Sequence, residues 1–169
     1  MRLNQLGVAL IAVASLTSCT SNGTGWYHVN KVTIGQARQQ LDDYVKESVA
    51  ALPAAARLGP LIGDSGPIPC DDSDGALSTS PARAQADNWI TGLPSSGNAE
   101  YLDAFVAHWI TKGWRIVDDP RPHLNYVAVA NSVGYSLVLA TTLDGLRLSI
   151  GGSSACASRE PPETPSGSL

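Results

Sequence analysis

The last third of the chain is a succession of strand-length segments joined by short turns, and this pattern restricts the fold more than any other feature. Residues 126–130, 135–142 and 146–151 are apolar enough for strands, and turn-forming residues separate them. The last two segments flank Asp144-Gly145, a pair that favours a type I′ hairpin because both central residues need positive φ. We therefore predict three consecutive antiparallel strands here.

The last of these segments also indicates which face of the sheet is buried. Leu146, Leu148 and Ile150 alternate with Arg147 and Ser149, and successive side chains of a strand point to opposite faces. The leucines and the isoleucine are thus predicted to face the core. The opposite face of the sheet is predicted to be wetter.

Two earlier segments, 85–91 and 114–118, are predicted as further strands because each has strand length and ends at turn residues. A capping box of Thr33 and Gln36 predicts the start of a helix of about 18 residues, which ends near Pro53. A second helix is predicted over residues 98–112. Its apolar positions share one face, and Gly113 occupies the C′ position.

This order of elements predicts an α+β domain over residues 31–157. We expect an antiparallel sheet of four to five strands, with the two amphipathic helices packed on one face. The length remaining without the leader, about 150 residues, suits a single domain.

The first 18 residues have the layout of a signal peptide, with Arg2 followed by a short apolar run and small residues. The run is shorter than the roughly 20 residues that a membrane-spanning helix needs. Its end, Leu16-Thr17-Ser18-Cys19, resembles the lipobox of bacterial lipoproteins. That resemblance implies a diacylglyceryl group on the thiol of Cys19 and cleavage after Ser18.

Lipidation would anchor the protein to the extracytoplasmic face of the cell membrane, because two acyl chains hold a protein stably where one does not. Residues 19–30 would then form the lipidated cysteine and a flexible, glycine-containing tether. The Pro-rich segment 158–169 is predicted to be a disordered tail.

If Cys19 carries lipid, Cys70 and Cys156 remain. An even pair in an oxidising compartment is expected to form a disulfide.

Removal of Arg2 with the leader lowers the formal net charge by one unit from −4. This acidic balance argues against nucleic acid as a partner.

The acidic residues Asp71, Asp72 and Asp74 are weak candidates for a cation site, since carboxylate oxygens bind Ca²⁺. Their spacing does not fit an EF-hand loop, which would place Cys70 and Pro81 at its first and last positions. A solvated acidic turn is the favoured interpretation. We predict no metal site, no cofactor and no catalytic residue, because the chain has neither a Gly-x-Ser-x-Gly motif nor a P-loop.

Aromatic residues are the main candidates for a binding surface. Trp89, Tyr126 and Tyr135 are candidates to line the wetter face of the sheet, together with His123 in the Pro-Arg-Pro-His loop. Packing in the core or at its boundary is the favoured interpretation for each aromatic residue.

Beyond the lipobox, the short tether and the Pro-Cys-Asp-Asp segment at 69–72 make the chain similar to small lipoproteins of high-GC Gram-positive bacteria. That resemblance implies location more than activity. The leading hypothesis is a non-enzymatic binding or accessory module for an envelope protein, glycan or lipid. The alternative is a small envelope hydrolase or metal-dependent enzyme that uses the loop 64–75 or 118–123.

Overall fold

The computed structural model describes residues 30–61, 66–70 and 80–159. The leader, Cys19, most of the predicted tether, the three acidic residues at 71–74 and the tail from residue 160 lie outside the described residues. The strands and helices are β1 (Asn30–Thr33), α1 (Ile34–Ala50), β2 (Arg57–Pro60), β3 (Ile68–Pro69), β4 (Ala82–Arg83), β5 (Gln85–Thr91), α2 (Asn98–Thr111), β6 (Arg115–Asp118), β7 (Tyr126–Ala130), β8 (Ser136–Thr141), β9 (Leu148–Ser153) and β10 (Ala157–Ser158).

The predicted α+β class is confirmed, and the main sheet is larger than predicted. It has six antiparallel strands in the order β2-β5-β9-β8-β7-β6. The bounds of β5 and β7 agree with the sequence prediction, because both strands are long enough to show alternation. The additional strand is β2, whose Gly-Pro ending conceals it from a search for strand patterns.

A second sheet, which the sequence did not predict, has the order β1-β10-β4-β3. Three of its strands are two residues long, too short for any periodicity. Asn30 and Ser158, assigned from the sequence to the tether and the tail, are strand residues in this sheet.

The disulfide between Cys70 and Cys156 is confirmed, with 6.1 Å between the Cα atoms. Cys70 follows β3, and its backbone N–H donates to the carbonyl of Pro81 at 3.0 Å. Cys156 directly precedes β10. The bond therefore reinforces the small sheet, whose strands are too short to be stable alone.

Helix α1 begins with the predicted capping box. The backbone N–H of Gln36 donates to the Thr33 hydroxyl, and the Gln36 side chain accepts from the Thr33 N–H. Helix α2 ends just before Gly113, which has a φ of +80° as expected for the C′ position. In the described parts of the chain, no helix is long and apolar enough to cross a lipid bilayer.

The core lies between the two helices and one face of the six-stranded sheet, which we call the inner face. Trp109 of α2 is buried and donates its indole N–H to the hydroxyl of Ser48 on α1 at 3.0 Å. Glu47 joins the helices closer to the surface by accepting from Lys112 at 2.8 Å. The sheet contributes alternate residues to the same cluster: Ile90, Val127, Val129, Leu137, Leu139, Leu148 and Ile150.

The turn between β8 and β9 differs from the prediction. The N–H of Gly145 donates to the carbonyl of Thr142 at 2.8 Å, so Leu143 and Asp144 are the central residues of the turn. The two strands form the predicted antiparallel pair, but the prediction of a two-residue turn at Asp144-Gly145 is wrong. Leu146 consequently lies in the turn, 66% exposed, and not on the inner face.

Loss of the disulfide should lower stability substantially. The bond closes a loop of 86 residues, and in the chain-entropy model a loop of that length contributes about 4 to 5 kcal/mol to the free energy of unfolding. Urea unfolding of a Cys70→Ser/Cys156→Ser variant should show a decrease of this order. Added reductant should destabilise the wild type and leave the variant unchanged. Equal stabilities without reductant would contradict the assignment.

Candidate functional site

The face of the six-stranded sheet opposite the helices, which we call the outer face, forms a shallow trough. Its volume is about 300 Å³. The pairing of the strands arranges its side chains in cross-strand rows. From β5 to β7 these rows are Trp89, Ser149, Ala140 and Tyr126; Asp87, Gly151, Val138 and Ala128; and Gln85, Ser153, Ser136 and Ala130.

The floor of the trough is low because small residues occupy the central strands β9 and β8. Ser136 and Ser153 lie side by side, with 2.9 Å between their hydroxyl oxygens. A Cβ atom on Gly151 would lie 2.7 Å from the carboxylate of Asp87. The glycine thus allows this carboxylate to lean over the neighbouring strand.

Asp87 is exposed, and no side chain in the described parts of the chain hydrogen-bonds to it or forms an ion pair with it. It stands on β5 between Gln85 and Trp89, which point to the same side of the sheet. Two hydrogen-bonding side chains and one aromatic ring therefore follow each other at intervals of two residues along one wall of the trough.

Trp89 and Tyr126, the aromatic residues that flank the trough, are each positioned by a charged neighbour. The guanidinium of Arg147 lies over the Trp89 ring, 5.2 Å from its centroid, within the range of a cation–π contact. Across the trough, the hydroxyl of Tyr126 donates to the carboxylate of Asp118. This hydrogen bond is the main reason that the pKa of the Tyr126 phenol is raised, and burial and the negative charge of Asp118 add to it.

Three strand spacings, about 14 Å, separate Trp89 from Tyr126. Their pairing with Ser149 and Ala140 places both residues on the outer face. The sequence did not identify Gln85, Asp87 or the serine hydroxyls. Alternation within the predicted strand 85–91 would have placed Gln85 and Asp87 on the same face as Trp89.

Tyr135 does not belong to this surface, and its predicted placement there is wrong. It is buried and packs edge-on against Tyr44 of α1, with ring centroids 5.3 Å apart. Tyr135 precedes β8, where Asn131 organises the turn by accepting from the backbone N–H groups of Val133 and Tyr135. Successive side chains of a strand point to opposite faces. Since Ser136 lies on the outer face, Tyr135 points to the inner face.

His123 lies in the exposed connection between β6 and β7, and no described side chain forms a hydrogen bond with its ring. In the same connection Arg121 donates to both oxygens of Asp119 and to Asp103. The Arg121 guanidinium keeps the pKa of Asp119 below its usual range. The acids nearest His123 in sequence are therefore already bound to other side chains.

Among residues 30–61, 66–70 and 80–159, no group of three or more His, Cys, Asp or Glu side chains is arranged to hold a metal ion. The weak candidates Asp71, Asp72 and Asp74 lie outside the described residues. The loop 64–75 of the alternative hypothesis is described only in part.

Comparison with known proteins identifies no relatives. No family model matches the chain, and neither a curated protein nor a solved structure gives a match.

The ionisation of Tyr126 tests the geometry of the far wall. Since the hydrogen bond to Asp118 raises the pKa of the phenol, Asp118→Asn should lower it toward the ordinary value of about 10. NMR titration of ¹³C-labelled tyrosine would measure the change, with Tyr126→Phe assigning the signal. Asp103→Asn is the matched control and should have no effect. An unchanged titration in Asp118→Asn would show that the two side chains are not bonded.

Proposed function

We propose that this protein is a lipid-anchored binding module of the bacterial cell envelope and that its outer face binds a glycan. The observation that carries the proposal is the trough itself. Gln85, Asp87, serine hydroxyls and small residues line it. Trp89 and Tyr126 flank it, at the two ends of the cross-strand row that contains Ser149 and Ala140. No element in the described part of the chain covers this face.

The chemistry of the trough favours a polyhydroxylated ligand over an apolar one. A carboxylate and a side-chain amide accept hydrogen bonds from ligand hydroxyls, and serine hydroxyls both donate and accept. Aromatic rings supply the apolar surface on which the C–H faces of a sugar ring pack. Within the described residues, the Asp87 carboxylate also has no side-chain partner to give up when a ligand binds.

The lipobox supports the anchoring half of the proposal. A diacylglyceryl group on Cys19 supplies two acyl chains. The 12 residues from Cys19 to Asn30 span at most about 40 Å when extended. A domain held within that distance of a membrane samples the glycan layer next to it, where tethering raises the effective concentration of ligand.

The alternative, a hydrolase or metal-dependent enzyme, stays a prediction with less support. In the loop 118–123, Asp119 is bound to Arg121 and Asp118 to Tyr126. An acid or base for catalysis needs a group free to exchange a proton with substrate. His123 is the candidate in this loop, and its use would require a partner supplied by the substrate.

Binding of soluble peptidoglycan fragments and neutral oligosaccharides tests the ligand class. A glycan array would identify the tightest oligosaccharide, and calorimetric titration would measure its affinity. Asp87→Asn should weaken binding by roughly tenfold or more, since a hydrogen bond to a charged group contributes about 1.5 to 3 kcal/mol. Trp89→Ala should weaken binding similarly, and Trp89→Phe should weaken it less.

The matched control is Asp43→Asn, which removes an exposed carboxylate from helix α1 instead of from the outer face. Its affinity should equal that of the wild type. If no oligosaccharide binds, or if Asp87→Asn and Asp43→Asn behave alike, the outer face is not a glycan site.

Fractionation of cells tests the anchor independently of any ligand. Cys19→Ala removes the thiol that would carry lipid, so the protein should move from the membrane fraction to soluble or unprocessed pools. Ser21→Ala, two residues beyond, should leave it in the membrane fraction. Unchanged fractionation of Cys19→Ala would contradict lipid anchoring while leaving the glycan proposal intact.

A further inference from the structure

Three exposed leucines lie in two neighbouring connections at one end of the six-stranded sheet. Leu124, in the connection between β6 and β7, is 49% exposed. Leu143 and Leu146, in the turn between β8 and β9, are 102% and 66% exposed. The two connections are adjacent, because the backbone N–H of Thr141 donates to the carbonyl of Asn125 at 2.9 Å. Exposed apolar residues grouped in this way are typical of an interaction surface.

The turn that carries two of these leucines is fixed by its own hydrogen bonds. The Asp144 carboxylate accepts from the Thr142 hydroxyl and from the N–H of Leu146. The Thr142 hydroxyl accepts in turn from the N–H of Arg147 at 3.1 Å. Both leucines are therefore held in solvent before any partner arrives, which lowers the entropic cost of binding.

A groove of about 420 Å³ opens beside the leucines, between the start of α2 and the two connections. This volume lies within the range of small-ligand pockets and accommodates a large side chain. The amide of Asn98 fastens α2 to the turn by donating to the carbonyl of Gly145 at 2.8 Å. At the edge of the groove, the Thr141 hydroxyl is buried and has no hydrogen-bond partner in the described part of the chain.

The surroundings of the groove are acidic. Arg121 is paired with carboxylates, and Arg147 lies over Trp89. A third arginine at this end, Arg57, lies on β2 opposite Thr91. The acidic residues of this end outnumber the three arginines: Glu100, Asp103, Asp118, Asp119 and Asp144. Charge complementarity therefore favours a basic partner, and the same charges oppose contact with anionic lipids.

We propose that this end of the sheet, formed by Leu124, Leu143, Leu146 and the adjoining groove, docks a protein segment that combines apolar with Lys or Arg side chains. We call it the leucine end. An anchoring side chain of the partner enters the groove, its apolar residues cover the leucines and its basic residues face the acidic surroundings. The leucine end is distinct from the trough, and its partner does not depend on a glycan.

A fluorescent amphipathic peptide of Leu and Lys serves as the probe, with a Leu/Glu peptide of the same pattern for comparison. Fluorescence anisotropy should show that the full chain binds the Leu/Lys peptide and does not bind the Leu/Glu peptide. Leu143→Ser/Leu146→Ser should weaken its binding by about tenfold or more, as loss of central apolar contacts does in interfaces. Val133→Ser is the matched control, since Val133 is 55% exposed in the turn at the opposite end of the sheet.

Equal binding of the Leu/Lys peptide to the wild type and to the double variant would overturn the proposal. So would equal binding of the Leu/Lys and Leu/Glu peptides. Leucine-dependent binding to vesicles containing phosphatidylglycerol would assign this end to the membrane. Leucine-dependent dimerisation in sedimentation experiments would assign it to a second copy of the chain. The substituted leucines are exposed, and far-UV circular dichroism would confirm that the variants fold.

Discussion

The buried contact between Trp109 and Ser48 is the interaction on which the rest of the arrangement depends. It is the hydrogen bond through which the two helices meet inside the core. A buried indole N–H without a partner is costly, so this bond fixes how α2 sits against α1. Tyr44 and Trp114 pack around the indole ring. With both helices joined over the inner face, one side of the sheet is covered, and no element in the described part of the chain covers the outer face.

The composition of the sheet follows from this asymmetry. On the inner face, a Cβ atom on Gly152 would lie 2.8 Å from the Ser136 carbonyl oxygen and from Leu137 of β8, and 3.0 Å from Leu41 of α1. The glycine thus lets both elements pack closely against β9. On the outer face, Gly151 makes room for the Asp87 carboxylate. Adjacent glycines on one strand thus serve opposite faces. Gly152 allows the core to pack, and Gly151 keeps the floor of the trough open.

What could be predicted from the sequence depended on the length of each element. Strands β5 and β7 and helix α2 repeat their apolar pattern often enough to be recognised, whereas β3, β4 and β10 are too short and form only through pairing with distant segments. Side-chain hydrogen bonds produced the other errors. Asn131 and Asp144 organise their turns and so decide where Tyr135 and Leu146 point. The walls of the trough were visible as Trp89 and Tyr126, but its floor depends on the register of strands far apart in the chain.

The most direct measurement of the central claim is a residue-by-residue NMR titration of the protein with its tightest-binding oligosaccharide. The amide signals of Asp87, Ser149, Gly151 and Ser153 should shift together, along with the indole N–H of Trp89. The indole N–H of Trp109 should remain unchanged, because the inner face is closed by the helices. Shifts centred on the helices or on the 119–125 connection, with those of Gly151 and Trp89 unaffected, would contradict the account.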